Sequence, residues 1–245
     1  MTIRYGILRD RGLSVKVAIF MTELGKVNLF NPILNNIDRA ETKRYAGMKG
    51  KIHFPESIVS EACAIVMLEK HVKTAWTLYS YDFAAGCIGG EYKIVSKMLR
   101  KHLQDSKQVI VLAATVGEEV EHASTKYFEK GEYAVGLLID AAATAAVEQA
   151  ANALCTMLSG QFRQQGLNLT TRFSPGYGDW SLEEQDKVVV LANTKAIGVS
   201  LTNSKMLLPR KSITAVVGLR TVKGQNENFE CSECAKTDCL MRRDN

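Results

Sequence analysis

The sequence predicts an α+β fold. Segments with helical periodicity and segments that read as strands follow one another without the regular alternation of a doubly wound parallel sheet, and one of them is a long Ala-rich helix whose charges as far as Phe162 are acidic. The 245 residues are 46% apolar, enough for a packed core, and only four Pro interrupt them.

In chain order, residues 57–76 carry helical periodicity, and the β-branched and aromatic run 74–80 at their end reads as a strand. Helical spacing returns over 90–104, a strand follows at 108–114, and further helices are expected over 116–130 and 133–165. Thr115-Val116-Gly117 is a strand-to-helix junction. A shorter helix is expected over 181–194, with Ser181 as N-cap and Glu184 in the capping-box position. Two last strands, 198–202 and 212–222, flank a basic stretch over 205–211. Residues 1–222 thus read as one domain, and the polar segment 223–245 as an irregular tail.

From Gly131 to Phe162 there is no Lys or Arg. Asp140, Thr144, Glu148, Asn152 and Thr156 recur every four residues there, which aligns them on one face of the helix. An acidic stripe among alanines faces either a cavity or cation, or solvent with basic partners from elsewhere in the fold.

The segment Arg172-Phe173-Ser174-Pro175-Gly176-Tyr177-Gly178-Asp179 holds the strongest functional chemistry. Pro175 fixes its own φ and Gly176 can take φ > 0, so the chain turns there and sets Arg172 relative to Tyr177. The guanidinium fork suits a carboxylate, and the Tyr ring offers a flat apolar face. A surface turn with Arg172 in solvent is the other reading of the segment taken alone.

Taken with its surroundings, the segment resembles the Arg-x-x-x-Gly-Tyr loop of the S-adenosylmethionine-binding activation domain of cobalamin-dependent methionine synthase. The likeness extends to Gly198-Val199-Ser200-Leu201-Thr202-Asn203-Ser204-Lys205-Met206-Leu207-Leu208-Pro209, to Ser212 and Gly218, and to Glu148 on the Ala-rich helix. It covers the C-terminal half; residues 1–130 match only loosely. The sequence departs from the family after Tyr177, where Gly178-Asp179-Trp180 replaces Pro-Ala-Cys-Pro-Asp, so Asp179 receives no role.

The resemblance implies a twisted, mainly antiparallel sheet around a long central helix, and a domain that binds S-adenosylmethionine and supports reductive methylation of cob(II)alamin. Arg172 would take the ligand carboxylate, Glu148 its cationic end, and the backbone of Phe173, Ser174, Pro175 and Gly176 the amino-acid portion or adenine. Tyr177 would face the corrin. The cofactor carries the hard chemistry, so no protein nucleophile is required. No Asp-x-His-x-x-Gly signature of a cobalamin module is present. The implied partner is therefore a cobalamin-dependent methionine synthase without its own activation domain, or a related corrinoid protein, with flavodoxin or ferredoxin as electron donor.

Cys231, Cys234 and Cys239 have the close spacing of metal ligands but are one short of a closed zinc site or an Fe-S cluster. A metal-binding electron-transfer or docking protein without its own S-adenosylmethionine site is the alternative function, and three free thiols the plainer reading. Gly86-Cys87-Ile88-Gly89-Gly90 lacks the spacing of a phosphate loop and reads as a turn. His53, His71, His102 and His122 are far apart and read as surface or locally satisfied residues. The excess of five positive charges is spread along the chain, which argues against nucleic acid as a partner. The apolar run 17–21 is too short for a membrane span, and the scattered Cys fit a reducing compartment, so a cytoplasmic location without membrane attachment is expected.

Overall fold

The computed structural model describes residues 3–10, 13–20, 22–48 and 54–221. Strands β1 (Ile3–Asp10) and β2 (Leu13–Phe20) form an antiparallel hairpin of their own. The main sheet contains β3 (Val27–Phe30), β4 (Lys73–Asp82), β5 (Cys87–Ile88), β6 (Tyr92–Lys93), β7 (Ser106–Thr115), β8 (Leu167–Leu169) and β11 (Ser212–Thr221). Its order is β6-β5-β4-β7-β11-β8, with β3 also on β4, and every pairing is antiparallel. The remaining strands, β9 (Ser200–Leu201) and β10 (Leu207–Leu208), form a small hairpin. The helices are α1 (Arg39–Tyr45), α2 (Glu56–Glu69), α3 (Lys97–His102), α4 (Glu119–Glu129), α5 (Tyr133–Arg163) and α6 (Gln185–Leu191).

Central strands β7 and β11 read as unbroken apolar runs because both their faces are covered. On β7, Val109, Val111 and Ala113 pack with Leu99, Leu103, Trp180 and Val188 on one side. Ile110 and Leu112 pack with Leu154, Leu158 and Phe162 of α5 on the other, as the two-residue period of a strand requires. Nearer its N-terminus, α5 buries Leu138, Ile139, Ala142 and Ala146 against α2 and α4. By length and composition α5 could cross a bilayer, but 67% of its apolar window is buried in this fold. Gln149 of α5 also clamps the segment before α1, accepting from the Asp38 amide and donating to the Asn36 carbonyl.

The α+β class, the mainly antiparallel sheet and the long central helix are thus as expected, while several boundaries move. The helix expected over 57–76 stops at Glu69, because the residues from Lys73 on pair with β3 and β7. The one expected over 90–104 contracts to α3: Gly89 and Gly90 take positive φ, Tyr92–Lys93 pairs with β5, and Ser96 caps the helix by accepting from the Leu99 amide. The helix expected over 181–194 begins as a 3-10 turn and closes at Leu191, with Asn193 left-handed beyond it. Ser181 accepts from the Glu183 amide, but Glu184 makes no capping box; it accepts from the Tyr92 hydroxyl instead. The tail from residue 222, with Cys231, Cys234 and Cys239, lies outside the described residues.

Candidate functional site

The segment between β8 and α6 is laid along β11 and pinned at both ends. At its start, the Thr170 amide donates to the Gly218 carbonyl and the Gly218 amide to Thr170 Oγ1, each at 2.9 Å. Phe173 and Val216 then exchange backbone bonds of 3.0 and 2.8 Å. These use the Phe173 amide and carbonyl, and its ring is buried between His102 and Trp180, with centroids 5.3 and 6.1 Å away. Phe173 therefore anchors the loop, its amide and carbonyl committed to Val216 and its ring to the core.

His102 Nε2 lies 2.8 Å from the Thr171 carbonyl, which fixes the proton on that nitrogen. Burial holds this imidazole below its ordinary pKa, and Arg220 nearby adds to the effect, against the opposing influence of the Thr171 carbonyl. At the far end, Asp179 accepts from the Ser96 hydroxyl and from the amides of Lys97 and Met98, at 2.9 and 3.2 Å, over the first turn of α3. Desolvation opposes its ionisation, but those hydrogen bonds prevail and hold its carboxyl below the usual range. Trp180 donates from Nε1 to the Tyr92 hydroxyl at 3.1 Å, which in turn donates to Glu184 at 2.8 Å. Burial and that carboxylate push the Tyr92 phenol up. Gly176, at φ +89°, turns the loop between these anchors.

Beside the loop lies a cleft of about 680 Å³. Glu148, Asn152 and Cys155 of α5 form one wall, residues 170–172 with Ser174, Pro175 and Tyr177 a second, and Lys205, Met206 and Leu207 of the β9–β10 hairpin a third. Leu182, Gln185, Arg210 and the start of β11 complete it. Tyr177, Leu182 and Met206 are 61%, 46% and 51% exposed, so the mouth of the cleft has an apolar rim. The hairpin tip is closed by bonds from the Thr202 amide to the Met206 carbonyl and from the Met206 amide to Thr202 Oγ1.

The acidic stripe of α5 splits in two. Asp140 and Thr144 are covered by Lys211, whose Nζ reaches them at 2.8 and 2.9 Å. Glu148 and Asn152 instead line the cleft, where Arg172 Nη2 donates to Glu148 Oε2 at 2.7 Å and to Asn152 Oδ1 at 2.9 Å. Thr156 lies in a shallower groove continuing past Asn152 to Arg163. Both expected environments, cavity and basic partner, are present. Arg172 and Glu148, expected at opposite ends of a ligand, hold each other.

Sequence reasoning missed Gln185, which is 97% buried and donates to Thr214 Oγ1 at 2.6 Å in the cleft wall. A Gln in an otherwise apolar helix face, Val188 and Leu191 following it, was the available signal. It also missed Arg210, which pairs with Glu121. Among the described residues no group of three or more His, Cys, Asp or Glu is placed to hold a metal. Cys63 is buried beside Thr42, and burial raises the Cys155 thiol, so neither is disposed to ionise. Gly86, Gly89 and Gly90 all have positive φ and turn the chain around β5, as the turn reading of that stretch requires.

Mixed helices on an antiparallel sheet, with a long central helix edging a cleft, define the class of fold. The sequence matches no family model and no curated protein. Among solved structures, it is similar to a crystal structure of the MetH reactivation domain bound to AdoHcy, over 83% of this chain and 81% of that one. The TM-score is 0.52 and the sequence identity 10%, so the likeness is one of fold.

Proposed function

We propose that the cleft binds S-adenosylmethionine and that the protein supports reductive methylation of a corrinoid carried by a partner polypeptide. One observation carries this reading: the Arg172 loop, Glu148 and the β9–β10 hairpin converge on one cleft, in a fold shared with a domain crystallised with AdoHcy. The cleft supplies both charge signs that a zwitterionic amino acid requires, and apolar surface at Pro175, Leu182 and Leu207 for a nucleoside.

In this reading Arg172 holds the ligand carboxylate and Glu148 the ammonium and sulfonium end. Both hydrogen bonds from Arg172 to α5 leave through Nη2. An incoming carboxylate therefore meets Nη1 or Nε, or displaces Glu148 and sends it toward the ligand's ammonium. The corrinoid supplies the methyl-accepting cobalt, while this chain binds the donor and orients its methyl toward the open mouth. Tyr177 and the neighbouring exposed Leu182 and Met206 form the surface on which a flat apolar partner would sit. The corrinoid carrier is a methionine synthase lacking such a domain or a related protein, the electron comes from flavodoxin or ferredoxin, and the setting is the cytoplasm.

Calorimetric titration of the protein with S-adenosylmethionine and S-adenosylhomocysteine tests the first half, and absence of binding by both refutes it. Mixing the protein with a candidate corrinoid protein, a reductant and S-adenosylmethionine tests the second. Formation of methylcobalamin no faster than without the protein refutes that half alone.

A further inference from the structure

The cleft runs along a stretch of β11 that no strand among the described residues covers. In an antiparallel sheet, alternate residues of a central strand send their N–H and C=O to opposite neighbours. Val216 exchanges both its bonds with Phe173, and the Gly218 carbonyl accepts from Thr170, so these residues face away from β7. Thr214 belongs to the same alternation, and its amide and carbonyl face the same way.

The register that sets Phe173 against Val216 would set Pro175 against Thr214. Proline has no N–H to give, and Gly176 then swings the chain off the sheet. Among the described residues no strand, loop or side chain pairs with the Thr214 amide or carbonyl on that side. Yet Thr214 is 97% buried and lines the cleft. Buried backbone groups are rarely left without partners, so this edge is shaped to be completed by something that enters the cleft. The opening is short, bounded by the Phe173 bridge on one side and by the start of β11 at Ser212 on the other. It fits the edge of a flat heterocycle whose faces lie on Pro175, Leu182 and Leu207.

We propose that the amide and carbonyl of Thr214 read the edge of an adenine base, donating to ring N1 and accepting from the 6-amino group, with Gln185 beside them holding the Thr214 hydroxyl in place. The proposal rests on the reading of the cleft as an S-adenosyl site and specifies how that site selects its base. A 6-oxopurine reverses both groups, setting ring N1–H against the Thr214 amide and the 6-oxygen against its carbonyl. A site that hydrogen-bonds its ligand rejects an analogue whose polar groups cannot pair.

The experiment is calorimetric titration of the full chain with S-adenosylhomocysteine and with its deaminated analogue S-inosylhomocysteine, together with residue-resolved amide exchange by NMR. We expect the inosyl compound to bind at least about tenfold more weakly, and exchange of the Thr214 amide to slow when S-adenosylhomocysteine is bound. Equal affinities, or unchanged exchange at Thr214 in the bound state, overturn the proposal and leave the reading of the cleft standing. Failure of both compounds to bind overturns the two together.

Discussion

Replacing Arg172 by Ala separates its two tasks. In the free protein its guanidinium makes two hydrogen bonds to α5, of 2.7 and 2.9 Å, and the side chains of Arg172 and Glu148 are 20% and 31% exposed. A pair with that much solvent is screened, so its loss costs about 1 kcal/mol of stability, and the melting temperature of a chain this size falls by about 2–4 °C. The variant therefore stays folded. Binding suffers more, because a charge-assisted hydrogen bond to a ligand carboxylate contributes about 1.5–3 kcal/mol. The dissociation constant for S-adenosylhomocysteine should rise by about 10- to 150-fold. Methylthioadenosine, which keeps the nucleoside and lacks the amino acid, should bind the variant and the parent within about twofold of each other. Calorimetry with both ligands is the assay. An unchanged affinity for S-adenosylhomocysteine, or an equal loss for the two ligands, would show that Arg172 does not hold the carboxylate.

Other positions give independent tests. A Cβ on Gly218 would overlap Ser106 Oγ and lie 3.1 Å from Leu103, so Gly218→Ala should destabilise by about 1–3 kcal/mol in urea denaturation; a neutral result would mean that the two elements can separate. Asp179→Asn removes a charged acceptor from the first turn of α3 and should cost about 0.5–2 kcal/mol at pH 7. Because its folded pKa lies below the ordinary 3.8, that contribution is present above 3.8 and vanishes as pH falls through the folded value. The stability curves of variant and parent should therefore converge in acid. His102 has the opposite proton chemistry and the same direction of pH dependence: its folded pKa is below the ordinary 6.5, so the neutral ring stabilises above 6.5 and the stability declines as pH drops from there toward the folded value. His102→Gln, which can still donate to the Thr171 carbonyl, should flatten that part of the profile. A parent curve already flat across the window would remove His102 from the account.

Much of this was legible in the chain before its fold was known, for reasons that can be named. The Ala-rich helix of 31 residues announces itself by length and period, and β7 and β11 by apolar runs too short for helices. The N-terminal hairpin carried a readable signal too, in the alternation of Leu13, Val15, Val17 and Ile19 with Ser14, Lys16 and Ala18. Residues 17–21 by themselves read only as a short apolar run. Two-residue strands such as β5, β6 and β10 have no period to detect, since pairing creates them. In the site, the residue types of Arg172 and Glu148 pointed to a ligand, but their mutual salt bridge is a tertiary fact that spacing along the chain does not encode. Thr214 is the sharper case: what matters there is that no described residue pairs with its outward backbone, and that follows from a proline 39 positions earlier in the chain only once the register is known.

Residues 92–102 hold the site loop at Thr171 through His102, at Asp179 through Ser96, Lys97 and Met98, and at Trp180 through Tyr92. The stretch between those anchors behaves as a cassette in a fixed frame. Between the Phe173 bridge and Asp179 its side chains can be exchanged, and its length altered where it bulges away from the sheet, without disturbing the core that carries the ends. A chain built this way can adapt what it offers at the mouth of the cleft to a new docking surface while the strand edge and the helix beneath it stay the same.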